Sequence, residues 1–146
     1  MKKMPPIEKV FEAWTALADN RVIMKEDSAD VSSSDGEKSY VVKFSGDQYS
    51  SDDNATFWQG YPGYPVIAVL MKQGKIPYDE NEAKLWKNIN WTQQNKKFKN
   101  NYPLAVAEIA QERGIDLEKS YFEAKKILED LSKLPIVIKR KIKDPT

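Results

Sequence analysis

The 146-residue sequence contains no cysteine and no histidine. Without cysteine the chain has no disulfide, no thiolate nucleophile and no sulfur ligand for a metal. Without histidine it lacks the side chain that most often serves as a general base and as a zinc ligand. Catalysis would have to depend on carboxylates, lysines or hydroxyl groups. We therefore expect no transition-metal site and no cofactor, and the composition favours a non-enzymatic role.

Long hydrophobic runs are also missing. The longest is the six-residue run from Val66 to Met71, whereas a membrane-spanning helix needs about 20 apolar residues. The first residues carry charge but no apolar stretch follows them, so we expect no signal peptide and a cytoplasmic protein without a membrane partner. A net charge of +1 is far from the strongly basic balance of a dedicated nucleic-acid-binding domain.

What remains is the composition of one folded domain. Hydrophobic residues make up 40% of the chain, and 4 Trp, 7 Tyr and 5 Phe supply large side chains for a core. The length is typical of a single domain, and no linker or repeat interrupts it. We predict one α+β domain over residues 1–146, with a small antiparallel sheet, formed by a hairpin and a C-terminal strand, packed against several helices.

Local patterns divide the chain into predicted elements. Apolar residues at intervals of three and four predict a helix after Pro5-Pro6 and a longer one after Asp116, which buries Leu117, Tyr121, Ala124, Leu128 and Leu131. Proline before and glycine after residues 65–73 favour a helix there, and three shorter helices are predicted between residues 79 and 113. Strands are predicted over residues 21–25, 39–45 and 136–142, the first two as a hairpin around the turn Ser34–Glu37. Residues 46–64 are predicted to form a long loop with one helical turn near Ala55.

The segment from Lys84 to Lys99 combines basic and aromatic residues and contains no acid. Lysines can neutralise phosphates while aromatic faces stack on bases, so the segment is a candidate for binding single-stranded nucleic acid or an acidic protein. The candidate residues, with two lysines of the C-terminal strand, are Lys84, Lys87, Trp91, Lys96, Lys97, Lys99, Lys139 and Lys141. The alternative is that the aromatic residues belong to the core, that the lysines form a solvated helix face, and that the C-terminal charges protect an edge strand from aggregation.

The predicted loop carries a second candidate site. Acceptor groups precede a set of aromatic side chains there, and together they could form a pocket for a small polar or cationic ligand. The candidate residues are Asp52, Asp53, Asn54, Trp58, Tyr61 and Tyr64. Alternatively, the loop packs onto the core through its own side chains. Of the two functions, the sequence slightly favours a non-enzymatic module that binds nucleic acid or an acidic partner over a small-molecule site, which could include catalysis.

Overall fold

The computed structural model describes residues 3–142. Six α-helices and a single turn of π-helix surround one sheet, so the predicted α+β class is confirmed. The helices are α1 (Glu8–Ala18), α2 (Tyr64–Lys72), α3 (Glu80–Leu85), α4 (Trp91–Lys97), α5 (Tyr102–Arg113) and α6 (Leu117–Lys133), and the π-turn spans Ala55–Gln59. The strands are β1 (Val22–Met24), β2 (Ser28–Ser32), β3 (Ser39–Ser45), β4 (Gln48–Ser51) and β5 (Val137–Ile138). Within the described residues, no helix is both long and apolar enough to cross a bilayer.

The sheet has the strand order β1-β2-β3-β4-β5 and contains two strands that the sequence did not predict. The predicted hairpin joined residues 21–25 directly to 39–45, and this pairing was wrong. β2 lies between these strands and pairs with both, and the predicted turn at Ser34 instead connects β2 to β3. β4, inside the predicted loop, pairs with β3 and buries Tyr49 completely. Both missed strands are short and rich in serine; the buried residues of β2 alternate, whereas the last three residues of β4 are all buried.

The C-terminal strand is shorter than predicted and makes the sheet mixed. β5 runs parallel to β4, with Gln48 opposite Val137 and Tyr49 opposite Ile138. The backbone N–H groups of Val137 and Lys139 donate to the carbonyls of Asp47 and Tyr49, each at 2.8 Å. A parallel pairing needs a long connection, and helices α2 to α6 provide it here.

The predicted helices agree with the structure. The segment predicted over residues 65–73 forms α2 (Tyr64–Lys72) rather than a strand, and α6 begins where the Asp116 carboxylate accepts a hydrogen bond from the backbone N–H of Lys119 at 3.2 Å. Ala124 and Leu131 of α6 are fully buried. The other three residues of its predicted apolar stripe, Leu117, Tyr121 and Leu128, are partly buried against the core.

Helix α1 lies at the centre of the core. It packs against α2, α3, α5 and α6, and eight of its 11 residues are buried. The Phe11 ring meets the rings of Trp14, Trp86 and Tyr121 at centroid distances of 5.0, 4.7 and 5.1 Å. Because α1 is covered on nearly every side, its polar residues are forced into the interior as well. This position of α1 creates the candidate site.

Candidate functional site

A polar cleft of about 250 Å³ opens beside α1; we call it the central cleft. It lies where α1, strands β2 and β3, the segment before the π-turn and the starts of α2, α4 and α5 meet. Four charged residues line it: Lys9, Glu12, Arg21 and Asp53. Nine neutral polar residues complete most of the wall: Ser33, Ser34, Tyr40, Asn54, Tyr64, Thr92, Asn95, Asn100 and Tyr102. Small-molecule sites are usually mostly apolar with a few placed polar groups, so a molecule bound in this cleft would be held chiefly by hydrogen bonds.

Glu12 and Lys9 form a largely buried ion pair on α1. Lys9 Nζ lies 3.1 Å from Glu12 Oε2, and the two side chains are 13% and 9% exposed. Burial raises the pKa of Glu12 despite the opposing charge of Lys9. Burial alone would lower the pKa of Lys9, but the charges of Glu12 and the Tyr102 phenol outweigh it and the pKa is raised. A carboxyl group with a raised pKa in a cleft is a frequent property of functional sites.

Arg21, between α1 and β1, is only partly satisfied. Its Nη1 donates to the Ser32 carbonyl and its Nε lies 3.6 Å from the Asp19 carboxylate. Its Nη2 is buried and has no hydrogen-bond partner in the described part of the chain. The nearby Tyr64 phenol has a raised pKa, mainly because it is buried, although the positive charge of Arg21 and a side-chain interaction between the phenol and the guanidinium oppose the shift. An unsatisfied buried donor costs about 1–3 kcal/mol, so a ligand or water that accepts from Nη2 would be stabilised there.

Asp53 lines the cleft but its carboxylate is already used within the protein. Ser51 Oγ donates to Oδ1, and the Thr56 backbone N–H donates to Oδ2 at 3.0 Å. The Thr56 hydroxyl in turn accepts from the Gly63 N–H at 2.9 Å. Asp53 therefore orders the segment that carries the π-turn, which is a structural role. Asp52, predicted beside it, is exposed and accepts a hydrogen bond from the Val41 N–H at 2.9 Å.

A second depression adjoins the central cleft. It has a volume of about 560 Å³ and is lined by Lys9, Asn54, Ala55, Trp58, Gln59, Tyr61 and Tyr102; we call it the outer groove. Four of these residues, Lys9, Asn54, Ala55 and Tyr102, also line the central cleft. The predicted loop residues are thus divided: Asp53 and Tyr64 face the cleft, Trp58 and Tyr61 line the groove, and Asn54 lines both.

The stacking role predicted for Trp91 does not fit its position. The side chain is 3% exposed, and its indole Nε1 donates to the Thr15 hydroxyl at 2.8 Å. Its ring stacks on that of Trp86 with the centroids 6.4 Å apart. The core alternative is therefore the one that the structure supports for this residue.

The predicted lysines are exposed but they line different parts of the surface. Lys84 and Lys87 line a depression of about 420 Å³ together with Lys72. Lys97 pairs with Glu108 on α5, and Lys96 lies in the same shallow depression. Lys99 follows α4, and Lys139 and Lys141 follow β5. Neither of these two depressions collects all of the predicted lysines.

The cleft residues Lys9, Glu12 and Arg21 were not among the sequence predictions. One signal was present: from Val10 to Ala18, Glu12 is the only charged residue. A helix that is apolar nearly all round is buried, so its single carboxyl group has to be buried too. No local pattern predicts that Arg21 lines the central cleft, because its position depends on the path of the chain from α1 into the sheet.

Comparison with known sequences gives a family. The profile described as "Uncharacterised conserved protein UCP014422" matches residues 2–137, so the chain belongs to this family. No curated protein and no solved structure shows a significant match to the chain.

Proposed function

We propose that the protein binds a small polar molecule in the central cleft. The observation that carries this proposal is Arg21, a residue of the cleft wall whose buried Nη2 forms no hydrogen bond of regular geometry within the described residues. A hydrogen-bond acceptor on the ligand would remove the cost of that unsatisfied donor. The raised pKa of Glu12 in the same wall supports a functional rather than a purely structural cleft.

The lining indicates the kind of molecule. Two cationic and two anionic side chains balance each other, and nine neutral polar residues surround them. A ligand without net charge but with several hydroxyl, amide or carbonyl groups matches this wall. The volume of about 250 Å³ lies just below the ~300 Å³ at which pockets for drug-sized ligands begin, so the molecule is small.

A fragment titration tests the proposal. Isotope-labelled protein is titrated with polyols, primary amides and zwitterionic amino acids, and backbone amide shifts are followed by NMR. We expect at least one class to shift the amides of Ser33, Ser34 and Asn54, and to raise the melting temperature because ligand binding stabilises the folded state. Arg21→Gln should abolish both effects.

Glu82→Gln is a matched control. Glu82 is also a buried carboxyl group, 2% exposed, but it bonds Ser120 on α6 and does not line the cleft. This variant should keep the response of the wild type. The proposal is refuted if no fragment class moves the cleft amides at millimolar concentration, or if Arg21→Gln responds as the wild type does.

A second candidate is the predicted binding of a nucleic acid or an acidic protein by surface lysines. It is favoured by the depression that contains Lys72, Lys84 and Lys87. Among the described residues that line this depression, Glu80 carries the single negative charge. If a polyanion binds there, affinity should fall with salt as counterions are released. Replacing Lys84 and Lys87 by Gln should then flatten that dependence.

A further inference from the structure

Three aromatic rings line the outer groove, and a cation of the protein lies near each ring; Lys9 lines the groove itself, whereas Lys3 and Arg140 lie beside it through their contacts with Tyr61 and Trp58. Lys3 Nζ lies 5.7 Å from the centre of the Tyr61 ring, Lys9 Nζ lies 4.6 Å from that of Tyr102, and the Arg140 guanidinium lies 5.3 Å from that of Trp58. The Lys3 ammonium also donates to the Gln59 carbonyl at 2.9 Å. Among the described residues, those that line the groove include Lys9 and no carboxylate. The groove is therefore both aromatic and basic.

Trp58 differs from the other tryptophans of the chain. It is 64% exposed, whereas Trp14, Trp86 and Trp91 are at most 3% exposed. It stands on the π-turn, which the hydrogen bonds of Asp53 hold in place. The Trp58 ring is therefore exposed to solvent on an ordered backbone, and such a ring can stack on a planar ligand.

We propose that the outer groove binds a nucleotide, either free or within a single strand. The base would stack on Trp58, and the phosphate would be neutralised by Lys3 and Arg140. Neither of these cations forms an ion pair with a carboxylate in the described part of the chain. Lys3 donates to the Gln59 carbonyl and Arg140 Nε donates to the Phe57 carbonyl at 3.3 Å, so each cation is held by a backbone oxygen and its positive charge is not neutralised there. Single-strand-binding surfaces combine the same two elements, namely a basic groove and exposed aromatic rings. The proposal rests on the groove alone and does not depend on which molecule fills the central cleft.

The same contacts disfavour a cationic ligand, which the sequence had also suggested for this loop. Each of the three rings already has a cation of the protein near it, and a further positive charge would be repelled. Lys9 contributes less than Lys3 or Arg140 to binding an anion because its ammonium is paired with Glu12 at 3.1 Å. Two to three phosphate contacts are therefore expected.

The experiment uses fluorescein-labelled (dT)8, with binding followed by anisotropy at several salt concentrations. For two to three contacts on a single strand, the slope of log affinity against log salt should be about −1.4 to −2.1. Trp58→Ala should weaken binding roughly 5- to 150-fold without changing the slope, as expected for loss of one stacked base. Lys3→Gln should reduce the magnitude of the slope by roughly 0.7.

Phe122 and Lys126 on α6 provide the matched control. Phe122 is 60% exposed and Lys126 Nζ lies 4.6 Å from its ring centre, so the pair is an exposed ring with a cation outside the groove, although Lys126, unlike Lys3, also pairs with Glu123 at 3.3 Å. Phe122→Ala and Lys126→Gln should leave the affinity and the slope unchanged. Thermal melts of every variant establish that it is folded, which is expected since the replaced side chains are exposed.

Competition with dTMP separates the two sources of a nucleotide. Displacement of (dT)8 by dTMP at comparable nucleotide concentration indicates a free nucleotide, and failure to displace it indicates a strand. Both results support the proposal, provided that ribose 5-phosphate, which lacks a base, does not compete. The proposal is overturned if neither dTMP nor (dT)8 binds at low salt, or if Trp58→Ala and Phe122→Ala have equal effects. It is also overturned if binding responds to Lys84 and Lys87 instead, and that result would favour the second candidate function.

Discussion

Replacing Thr15 by Val should destabilise the protein by about 2–4 kcal/mol. The Thr15 hydroxyl accepts the indole N–H of Trp91 at 2.8 Å and donates to the carbonyl of Trp86. Valine keeps the shape of threonine but leaves the Trp91 indole N–H and the Trp86 carbonyl buried without the hydroxyl as partner. Each unsatisfied group costs about 1–3 kcal/mol. For a domain of this size, each kcal/mol lowers the melting temperature by about 2–4 °C.

A double-mutant cycle isolates the hydrogen bond between Thr15 and Trp91. Trp91→Phe removes the indole N–H, so that Thr15→Val in that background leaves no orphaned donor. We expect the double variant to lose about 1 kcal/mol less stability than the sum of the losses of the two single variants. Urea unfolding should be followed by far-ultraviolet circular dichroism, because the substitution of Trp91 changes the tryptophan fluorescence.

Additive effects would refute this reasoning. Agreement within ~0.5 kcal/mol between the double variant and the sum would mean that the two groups do not interact. The same variants also test the core position of Trp91. Trp91→Phe should leave the affinity for (dT)8 unchanged, since a side chain that is 3% exposed offers no face to a base.

Three further predictions concern packing and charge. Gly63→Ala should lower the free energy of unfolding in urea by at least ~1–3 kcal/mol, because the new Cβ would lie 2.2 Å from Asp53 Oδ2. The control is Gly36→Ala, where nothing lies within 4 Å of the new Cβ but φ is +75°, and it should cost only ~1 kcal/mol. Equal costs for the two variants would contradict the clash. Leu131→Ala should cost ~2–5 kcal/mol because the side chain is fully buried, and a cost below 1 kcal/mol would show that α6 is not packed as described. The pKa of Glu12 is raised, so the folded state holds its proton more tightly than the unfolded state does. As the pH rises from about 4.5 through the raised pKa, the free energy of unfolding of the wild type should therefore fall relative to that of Glu12→Gln. A pH-independent difference would mean that the pKa of Glu12 is not raised.

The helices could be predicted from the sequence because their signals are local. Apolar spacing, the Asp116 cap and the proline at the start of α2 all lie within the segments they define. Strands β2 and β4 were missed because Ser-Ala-Asp-Val-Ser and Gln-Tyr-Ser-Ser have few apolar residues and resemble loops. What makes them strands is pairing with β3, and a partner distant in sequence leaves no local pattern.

The candidate site was predictable only in part, for the same reason. Trp58 and Tyr61 were recognised because aromatic residues cluster visibly within one loop. The central cleft instead depends on residues from opposite parts of the sequence, such as Glu12 and Asn95, which only the packing of α1 brings to one wall. Trp91 was misassigned because a tryptophan among lysines has the same local pattern whether it stacks on a base or on the core.

The central position of α1 has a consequence for synthesis of the chain. The helix bonds residues far ahead of it: Thr15 meets Trp91 across 76 positions, and Glu8 accepts the hydroxyl of Tyr121 across 113. At about 5–20 residues per second, α1 leaves the ribosome roughly 5–20 s before α6 exists to cover it. During that interval the Phe11 ring lacks its contact with Tyr121 of α6, so the helix that organises the finished core is also a segment in need of protection while it is made.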